Sequence, residues 1–198
     1  LDDFAFDFDF YHYKDSVEDR EQAVEVLKER IQAGDIQPIR EWLQVAVEES
    51  EGESAEKAAE LITRLDALVK EQKLLSGSEK QFGIYQITAR DQEHDYRFMN
   101  LDFVKRHGME VNRADYELVY TAPLTEKDTL EAIYERFNIQ RPADFTGHSL
   151  SVSDVVVLND GKSIKAYYVD SIGFPELPEF PVFVGFFRIR LSLAQLVA

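Results

Sequence analysis

The residues best suited to chemistry lie in one polar stretch, residues 147–154, which reads GHSLSVSD. It places hydroxyls, an imidazole and a carboxylate within eight residues. A hydrolase needs a nucleophile, a base and an orienting acid that converge in space, normally from distant segments. Neighbours on an extended chain point to opposite faces, so His148 is poorly placed to activate Ser149. We therefore assign no catalytic residue in this stretch.

The backbone conformation of this stretch decides what its side chains can do. A strand from residue 149 onward would place Asp154 on the same face as Val156, where an unpaired buried carboxylate is costly. The alternative is a turn, in which Ser151 or Ser153 caps backbone N–H groups and Asp154 anchors the loop. We favour the turn, with the strand beginning directly after Asp154.

A binding surface for a protein or a small ligand could be built on this turn and on the hairpin that follows. Asn159-Asp160-Gly161 predicts a tight hairpin turn. The return strand would carry two polar side chains back toward residues 155–157, where they could complete a polar site. The candidate binding residues are His148, Ser149, Ser151, Ser153, Asp154, Tyr168 and Asp170.

Residue spacing predicts neither a metal site nor a cofactor site. Asp7 and Asp9 form an Asp-x-Asp pair, but no third ligand follows at a known spacing. The sequence has no cysteine, no Walker loop and no Rossmann fingerprint. Its four histidines share no metal-ligand spacing: His12, His94, His107 and His148.

Composition and net charge also limit the possible functions. With 198 residues, 44% of them hydrophobic, the chain can bury one large core or two small ones. The net charge is −16, with −11 in residues 1–80 and −5 in residues 81–198. This charge repels phosphate backbones, so direct nucleic-acid binding is not expected. Without a membrane-spanning run, a secretory signal or a cysteine, a cytoplasmic location is expected, with no membrane partner.

The first half of the chain reads as a strand followed by helices. Alternating aromatic residues at 3–13 predict a strand with one buried face. Three amphipathic helices follow: one opened by Ser16 and closed by Gly34, one starting near Pro38, and one capped by Ser54. A polar Ser/Gly stretch at 70–81 predicts a boundary. We therefore predict an N-terminal domain at residues 1–75 and a second domain at residues 82–198.

The second half mixes strands and helices. Strands are predicted at 82–88 and 116–121. After a charged turn at 89–95, Tyr96-Arg97-Phe98 is predicted to pair as a strand with the first of them. A short helix at 101–107 ends at Gly108, and a longer helix runs from the cap Thr125 to before Pro142. A last apolar run covers 182–191. The predicted fold class is α+β: a small antiparallel helical unit, then a mixed helix–strand domain with a C-terminal β-hairpin.

Several fragments of the second half carry a family resemblance. They are IYQI at 84–87, NRADYELVY at 112–120, LEAIYERFNI at 130–139, GHSLSVSDVV at 147–156, YVDS at 168–171 and GF at 173–174. In this order they resemble the YodL-like domain family, over about residues 82–178. Residues 16–70 resemble a helical domain associated with large polyvalent proteins of mobile elements. The resemblance implies an accessory protein of a conjugative element or phage, from a family without an established catalytic activity.

These observations predict a non-enzymatic accessory module that acts through protein–protein contacts, with a protein partner of unknown identity. Two alternatives stay open. An acidic, DNA-mimic-type decoy of a host DNA-binding or restriction factor needs carboxylates clustered on one face. An undescribed enzyme needs His148 and Asp154 to line a common pocket. The interaction module instead needs an exposed apolar or aromatic patch.

Overall fold

A computed structural model describes residues 20–76, 78–87 and 96–180, with the backbone alone at residues 20–24. The chain divides into two compact units, Leu1–Gln72 and Lys73–Ala198. The expected strand at 3–13 with Asp7 and Asp9, the charged turn at 89–95 and the apolar run at 182–191 lie outside the described residues.

Three helices account for the described part of the first unit: α1 (Arg20–Gln32), α2 (Gln37–Glu49) and α3 (Glu53–Ser76), whose last turn belongs to the second unit. Gly34 follows α1 with φ +81°, a left-handed conformation that glycine adopts without a Cβ penalty. Pro38 lies in the first turn of α2, where its missing N–H costs nothing. The apolar faces share one core, built from Leu27, Ile31, Ile39, Leu43, Ala58, Leu61 and Leu65.

Two predicted helix bounds differ from the structure. The third helix begins at Glu53, so Ser54 lies inside its first turn instead of capping it. It also continues through the polar residues after 70, as far as Ser76. Leu74 and Leu75 are buried in the core of the second unit, and this packing extends the helix through a stretch whose polarity suggested a linker.

The second unit is built on four antiparallel strands: β1 (Gln81–Ile87), β2 (Tyr116–Pro123), β3 (Val155–Asn159) and β4 (Ile164–Tyr168), in the order β2-β1-β3-β4. β1 lies at the centre, and six of its seven residues are buried. β3 and β4 form the predicted hairpin. Its turn contains Gly161 at φ +82°, and Asp160 Oδ1 accepts hydrogen bonds from the N–H groups of Lys162 and Ser163. The predicted turn is confirmed.

Both faces of this sheet are covered, which confirms the α+β fold class. Helix α5 (Leu130–Ile139) packs on one face, in a core of Phe82, Ile84, Ile133, Phe137, Leu150, Val156 and Val169. Helix α4 (Leu101–Arg106), the last turn of α3 and Phe180 cover the other, where the buried residues include Tyr85, Tyr96, Val104, Tyr116, Val155, Val157 and Tyr168. Because β1 is buried on both sides, any polar side chain on it needs a hydrogen-bond partner.

Two further predictions in this unit were wrong. The cap of α5 is Thr129, which accepts a hydrogen bond from Ala132 N, whereas Thr125 closes a preceding turn with Asp128. Residues 96–98 do not pair as a strand: Phe98 has φ +64°, in a tight turn. Both errors arose because hydroxyl and aromatic residues suit turns, caps and strands alike, and only tertiary contacts decide among them.

The cap of α5 leads to a first prediction. Thr129→Ala removes the acceptor of the Ala132 N–H and is expected to lower the unfolding free energy by about 1 kcal/mol. Thr129→Ser keeps the hydroxyl and should stay within a few tenths of a kcal/mol of the wild type. Urea unfolding of the three proteins checks this, and equal losses in both variants would contradict it.

Candidate functional site

The stretch 147–154 is a loop locked by the carboxylate of Asp154. β3 begins at Val155, as the turn interpretation predicted. Asp154 is only 1% exposed, and its Oδ2 accepts hydrogen bonds from Ser151 N at 2.8 Å and from Gln86 Nε2 at 2.9 Å. The buried Asp154 carboxylate therefore has two hydrogen-bond donors, one inside the loop and one from the central strand β1.

Gln86 ties the loop to the sheet with both ends of its carboxamide. Its Oε1 accepts from His148 N at 3.1 Å, and its Nε2 donates to His148 O at 2.9 Å. Gly147 makes this approach possible, because a Cβ there would lie 2.2 Å from Gln86 Oε1 and 2.8 Å from Phe145 Cζ. Glycine is required at this position because a Cβ would collide with the side chains of Gln86 and Phe145.

Ser153 connects the same loop to a second turn. It has φ +83°, an uncommon conformation for a residue with a side chain. Its N–H donates to Val169 O at 3.0 Å, and its carbonyl accepts from the buried Tyr116 hydroxyl at 2.8 Å. Its Oγ accepts from Phe98 N at 2.9 Å. The turn interpretation predicted a cap within the loop, whereas Ser153 caps a backbone N–H on a segment 55 residues away.

Phe98 and His148 lie side by side on the outside of this arrangement. Phe98 is 61% exposed as a residue, and the side chain of His148 is 43% exposed. Their ring centroids are 5.8 Å apart, at 54° between planes. Phe98 has φ +64°, which is rare for an aromatic residue and is held here by the bond to Ser153. We call these two residues the Phe98–His148 surface.

The remaining candidate residues do not join one polar site. Ser149 contributes its carbonyl, which accepts from Ser151 Oγ at 2.7 Å. Tyr168 pairs with Val155 across the hairpin as expected, but its hydroxyl donates to Met99 O at 2.7 Å. Asp170 Oδ1 accepts from Ser171 N in its own turn. The network thus unites His148, Ser151 and Asp154 and leaves Tyr168 and Asp170 aside.

Burial sets the electrostatics of the loop. It raises the pKa of Asp154 to about 6, although the Ser151 N–H, His148 and Gln86 act in the opposite direction. His148 Nε2 lies 3.6 Å from Asp154 Oδ1. Burial also raises the pKa of the Tyr116 and Tyr168 hydroxyls, which therefore stay protonated near neutral pH.

The raised pKa of Asp154 makes stability depend on pH with a defined sign. The folded state holds its proton up to about pH 6, whereas the unfolded chain releases it near the ordinary value of 3.8. This contribution to stability is therefore present below pH 3.8 and is lost as the pH rises to 6, by roughly 1–3 kcal/mol. Asp154→Asn keeps an acceptor for Ser151 N and Gln86 and should lack this loss.

The measurement is urea unfolding of wild type and Asp154→Asn at pH 4, 5, 6 and 7. The difference between the two proteins isolates the contribution of Asp154 from those of other carboxylates. Asp128, for example, has a lowered pKa, so its contribution to stability increases as the pH rises. The variant should gain on the wild type as the pH rises. Parallel profiles would contradict the prediction.

Gln86 and Phe98 are the two important residues that sequence reasoning missed. A detectable signal existed for Gln86, because it interrupts an otherwise apolar strand, Ile84-Tyr85-Gln86-Ile87. No comparable local signal marks Phe98, since its exposure results from a turn held by Ser153.

One groove of the described second unit lies elsewhere. Its volume is about 510 Å³, and neither His148 nor Asp154 lines it. Its walls are α4, residues 108–111 and residues 176–180. Among the residues that the structure describes, no three His, Asp or Glu side chains are grouped to hold a metal ion, and no helix is long and apolar enough to span a membrane.

Fold and site together define a four-stranded antiparallel α+β domain with a carboxylate-locked loop at one end of its sheet. The model of the YodL-like domain family matches residues 81–180, half of the chain. The chain therefore belongs to the YodL-like domain family. No curated protein and no solved structure matches it. The resemblance of residues 16–70 to a polyvalent-protein domain stays a prediction.

Proposed function

We propose that this YodL-like chain is a non-enzymatic interaction module that binds a protein partner through the Phe98–His148 surface. The observation that carries the proposal is the exposed ring of Phe98, held at positive φ by a buried serine. Strained backbone persists only where the surroundings enforce it, and it concentrates at functional positions. A large aromatic fixed in place loses little entropy on binding, and aromatic anchors dominate interface energies.

Charge suggests the chemistry of the partner. Residues 81–198 carry a net charge of −5, and the whole chain −16. A complementary surface would present an apolar pocket for Phe98 with basic residues around it. The accessory role in a mobile-element polyvalent protein and the cytoplasmic location belong to this proposal, and they rest on the family resemblance and on a sequence without cysteine.

The geometry gives less support to the enzymatic alternative. Asp154 is sealed in the loop, with Oδ2 occupied by Ser151 N and Gln86 Nε2. His148 contacts Asp154 only across the 3.6 Å from Nε2 to Oδ1. A catalytic acid–base pair must reach a substrate together, and only His148 is exposed.

The decoy alternative also receives less support from the described helices. Their acidic side chains are interleaved with basic ones, in pairs such as Glu25–Lys28, Lys57–Glu60 and Arg40–Asp66. DNA mimicry needs a face of one sign, and these pairs reduce the local negative potential.

Affinity capture with the full chain as bait tests the proposal. Phe98→Ala should lower the captured amount of a specific protein by about tenfold or more, as expected for an interface anchor. The matched control is Ile172→Ala, which truncates an apolar residue of the same unit that is 92% exposed. Equal capture by wild type and both variants, each verified as folded, would overturn the proposal.

A further inference from the structure

The groove beside helix α4 has an apolar lining and a volume large enough for several side chains. Gly108 ends α4 with φ +68°, and Met109 N then donates to Val104 O at 3.0 Å, which directs residues 109–111 into one wall. The volume of about 510 Å³ lies within the range of ligand pockets, roughly 300–1,000 Å³. The apolar lining includes Met109, Val111, Leu177 and Phe180.

The charged residues of the groove give it a negative character. Three glutamates line it, Glu110, Glu176 and Glu179, together with one cation, Lys105. Glu176 is paired with Lys165, whose Nζ lies 3.2 Å from Glu176 Oε2. Among the described residues, neither of the other two glutamates forms an ion pair. An apolar lining with exposed, unpaired carboxylates suits a segment that combines apolar side chains with arginine or lysine.

The described chain ends inside a wall of this groove, at a fixed point. Leu177 N donates to a carbonyl of β4 at 2.8 Å, and Phe180 N donates to Leu177 O at 3.2 Å. The Phe180 ring is buried and packs edge-on against two aromatic rings of the sheet, Tyr85 at 5.8 Å and Tyr116 at 5.4 Å between centroids. Residue 181 therefore begins directly at the groove.

Residues 181–198, which lie outside the described part of the chain, have the composition that the groove suits. They contain three phenylalanines, two arginines and no carboxylate side chain, so this segment is positive in a chain of net charge −16. We propose that the groove is the docking site of this segment of the same chain. Its phenylalanine side chains enter the apolar lining, and Arg188 and Arg190 lie beside the unpaired carboxylates of Glu110 and Glu179.

Covalent connection makes a weak affinity sufficient. Phe186 follows Phe180 by six residues, which span at most about 20 Å when extended. A short flexible connection gives an effective concentration on the order of 1 mM, so a contact with a Kd of about 0.1 mM would be occupied roughly nine-tenths of the time. The docked segment then competes with any outside ligand of the same apolar and basic chemistry.

This inference does not depend on the proposed function. Neither Phe98 nor His148 lines the groove. Loss of capture with Phe98→Ala therefore tests the Phe98–His148 surface alone, and the experiment below tests the groove alone.

Site-directed spin labelling of the full chain tests the docking. The sequence has no cysteine, so Ser192→Cys provides a single attachment point for a nitroxide. Methyl relaxation is measured with the nitroxide oxidised and then reduced. We expect the enhancement at Met109, Val111 and Leu177 to exceed that at Ile139 roughly fivefold. Ile139 is the internal reference because it is exposed on α5, which covers the other face of the sheet.

A mixed sample distinguishes the same chain from a second copy. Spin-labelled chain at natural isotope abundance is added to isotope-labelled chain that carries no nitroxide. We expect no enhancement at Met109 in this mixture. An enhancement equal to that of the singly labelled chain would show that the occupant comes from a second copy, which overturns docking within one chain.

Charge and aromatic variants test the assigned contacts. Glu110→Lys combined with Glu179→Lys should lower the enhancement roughly twofold, because both carboxylates become repulsive toward arginine. The matched control, Glu126→Lys combined with Glu135→Lys, changes two exposed glutamates of the same unit outside the groove and should leave the enhancement unchanged.

Replacing the aromatic pair, as Phe186→Ser with Phe187→Ser, should remove most of the enhancement at the groove methyls, since the apolar contact is lost. Absence of enhancement in the Ser192→Cys protein would overturn the docking. An enhancement that survives both the charge variant and the aromatic variant would overturn the assigned contacts, and with them the proposal.

Discussion

Gln86→Glu is expected to lower the unfolding free energy of the YodL-like domain by roughly 3–5 kcal/mol at pH 8. The substitution preserves shape but replaces the Nε2 donor by an oxygen. That oxygen would face Asp154 Oδ2 and His148 O, each now 2.9 Å from Nε2. Two buried carboxylates would then adjoin each other, and two acceptors would lose their donor.

Urea unfolding, monitored through the amide signals of β1 and β3, measures this loss in the second unit, to which both strands belong. Gln140→Glu is the matched control, because it makes the same change at an exposed position after α5. The loss in Gln86→Glu should shrink at pH 5, where protonation of one carboxyl restores a donor. A Gln86→Glu protein within about 0.5 kcal/mol of the control at pH 8 would show that Gln86 does not hold the loop.

Gly147→Ala is expected to destabilise the same domain by roughly 2–3 kcal/mol, because the added Cβ has no space. It would lie 2.2 Å from Gln86 Oε1 and 2.8 Å from Phe145 Cζ. The Gln86 carboxamide cannot easily yield, since His148 and Asp154 hold it with three hydrogen bonds. The loop must therefore separate from the strand or the core must shift.

A double-mutant cycle with Gln86→Ala separates this mechanism from general strain. Once the carboxamide is removed, Gly147→Ala should cost less by about 1 kcal/mol, with the remainder due to Phe145. The measurement is again urea unfolding, of wild type, both single variants and the double variant. Strictly additive losses would mean that Gly147 is not required for the approach of Gln86.

Local patterns were sufficient for most of the fold. Alternation and turn chemistry predicted β1, β2 and the β3–β4 hairpin, and the apolar spacing predicted the helices. The cost of burying Asp154 was enough to predict that β3 starts at Val155. These features depend on contacts within a few residues, which a single sequence records.

The site was predictable only in part, because its decisive bonds join distant segments. Asp154 and its loop role were found, but its partner Gln86 lies 68 residues earlier. Ser153 was expected to cap a nearby N–H and instead caps Phe98, whose turn was mistaken for a strand. Pairings of this kind depend on the strand order β2-β1-β3-β4, which periodicity does not encode.

We propose that Phe98, which Ser153 of the loop at residues 147–154 holds in its turn, binds a protein partner. The most direct measurement replaces Phe98 by a photo-cross-linking phenylalanine derivative and, in a second protein, places the same residue at Ile172, which is also exposed. Irradiation in a bacterial lysate should attach a discrete protein at position 98 and not at position 172. Identical cross-linking patterns at the two positions, or none at position 98 while the bait still captures its partner, would contradict the claim.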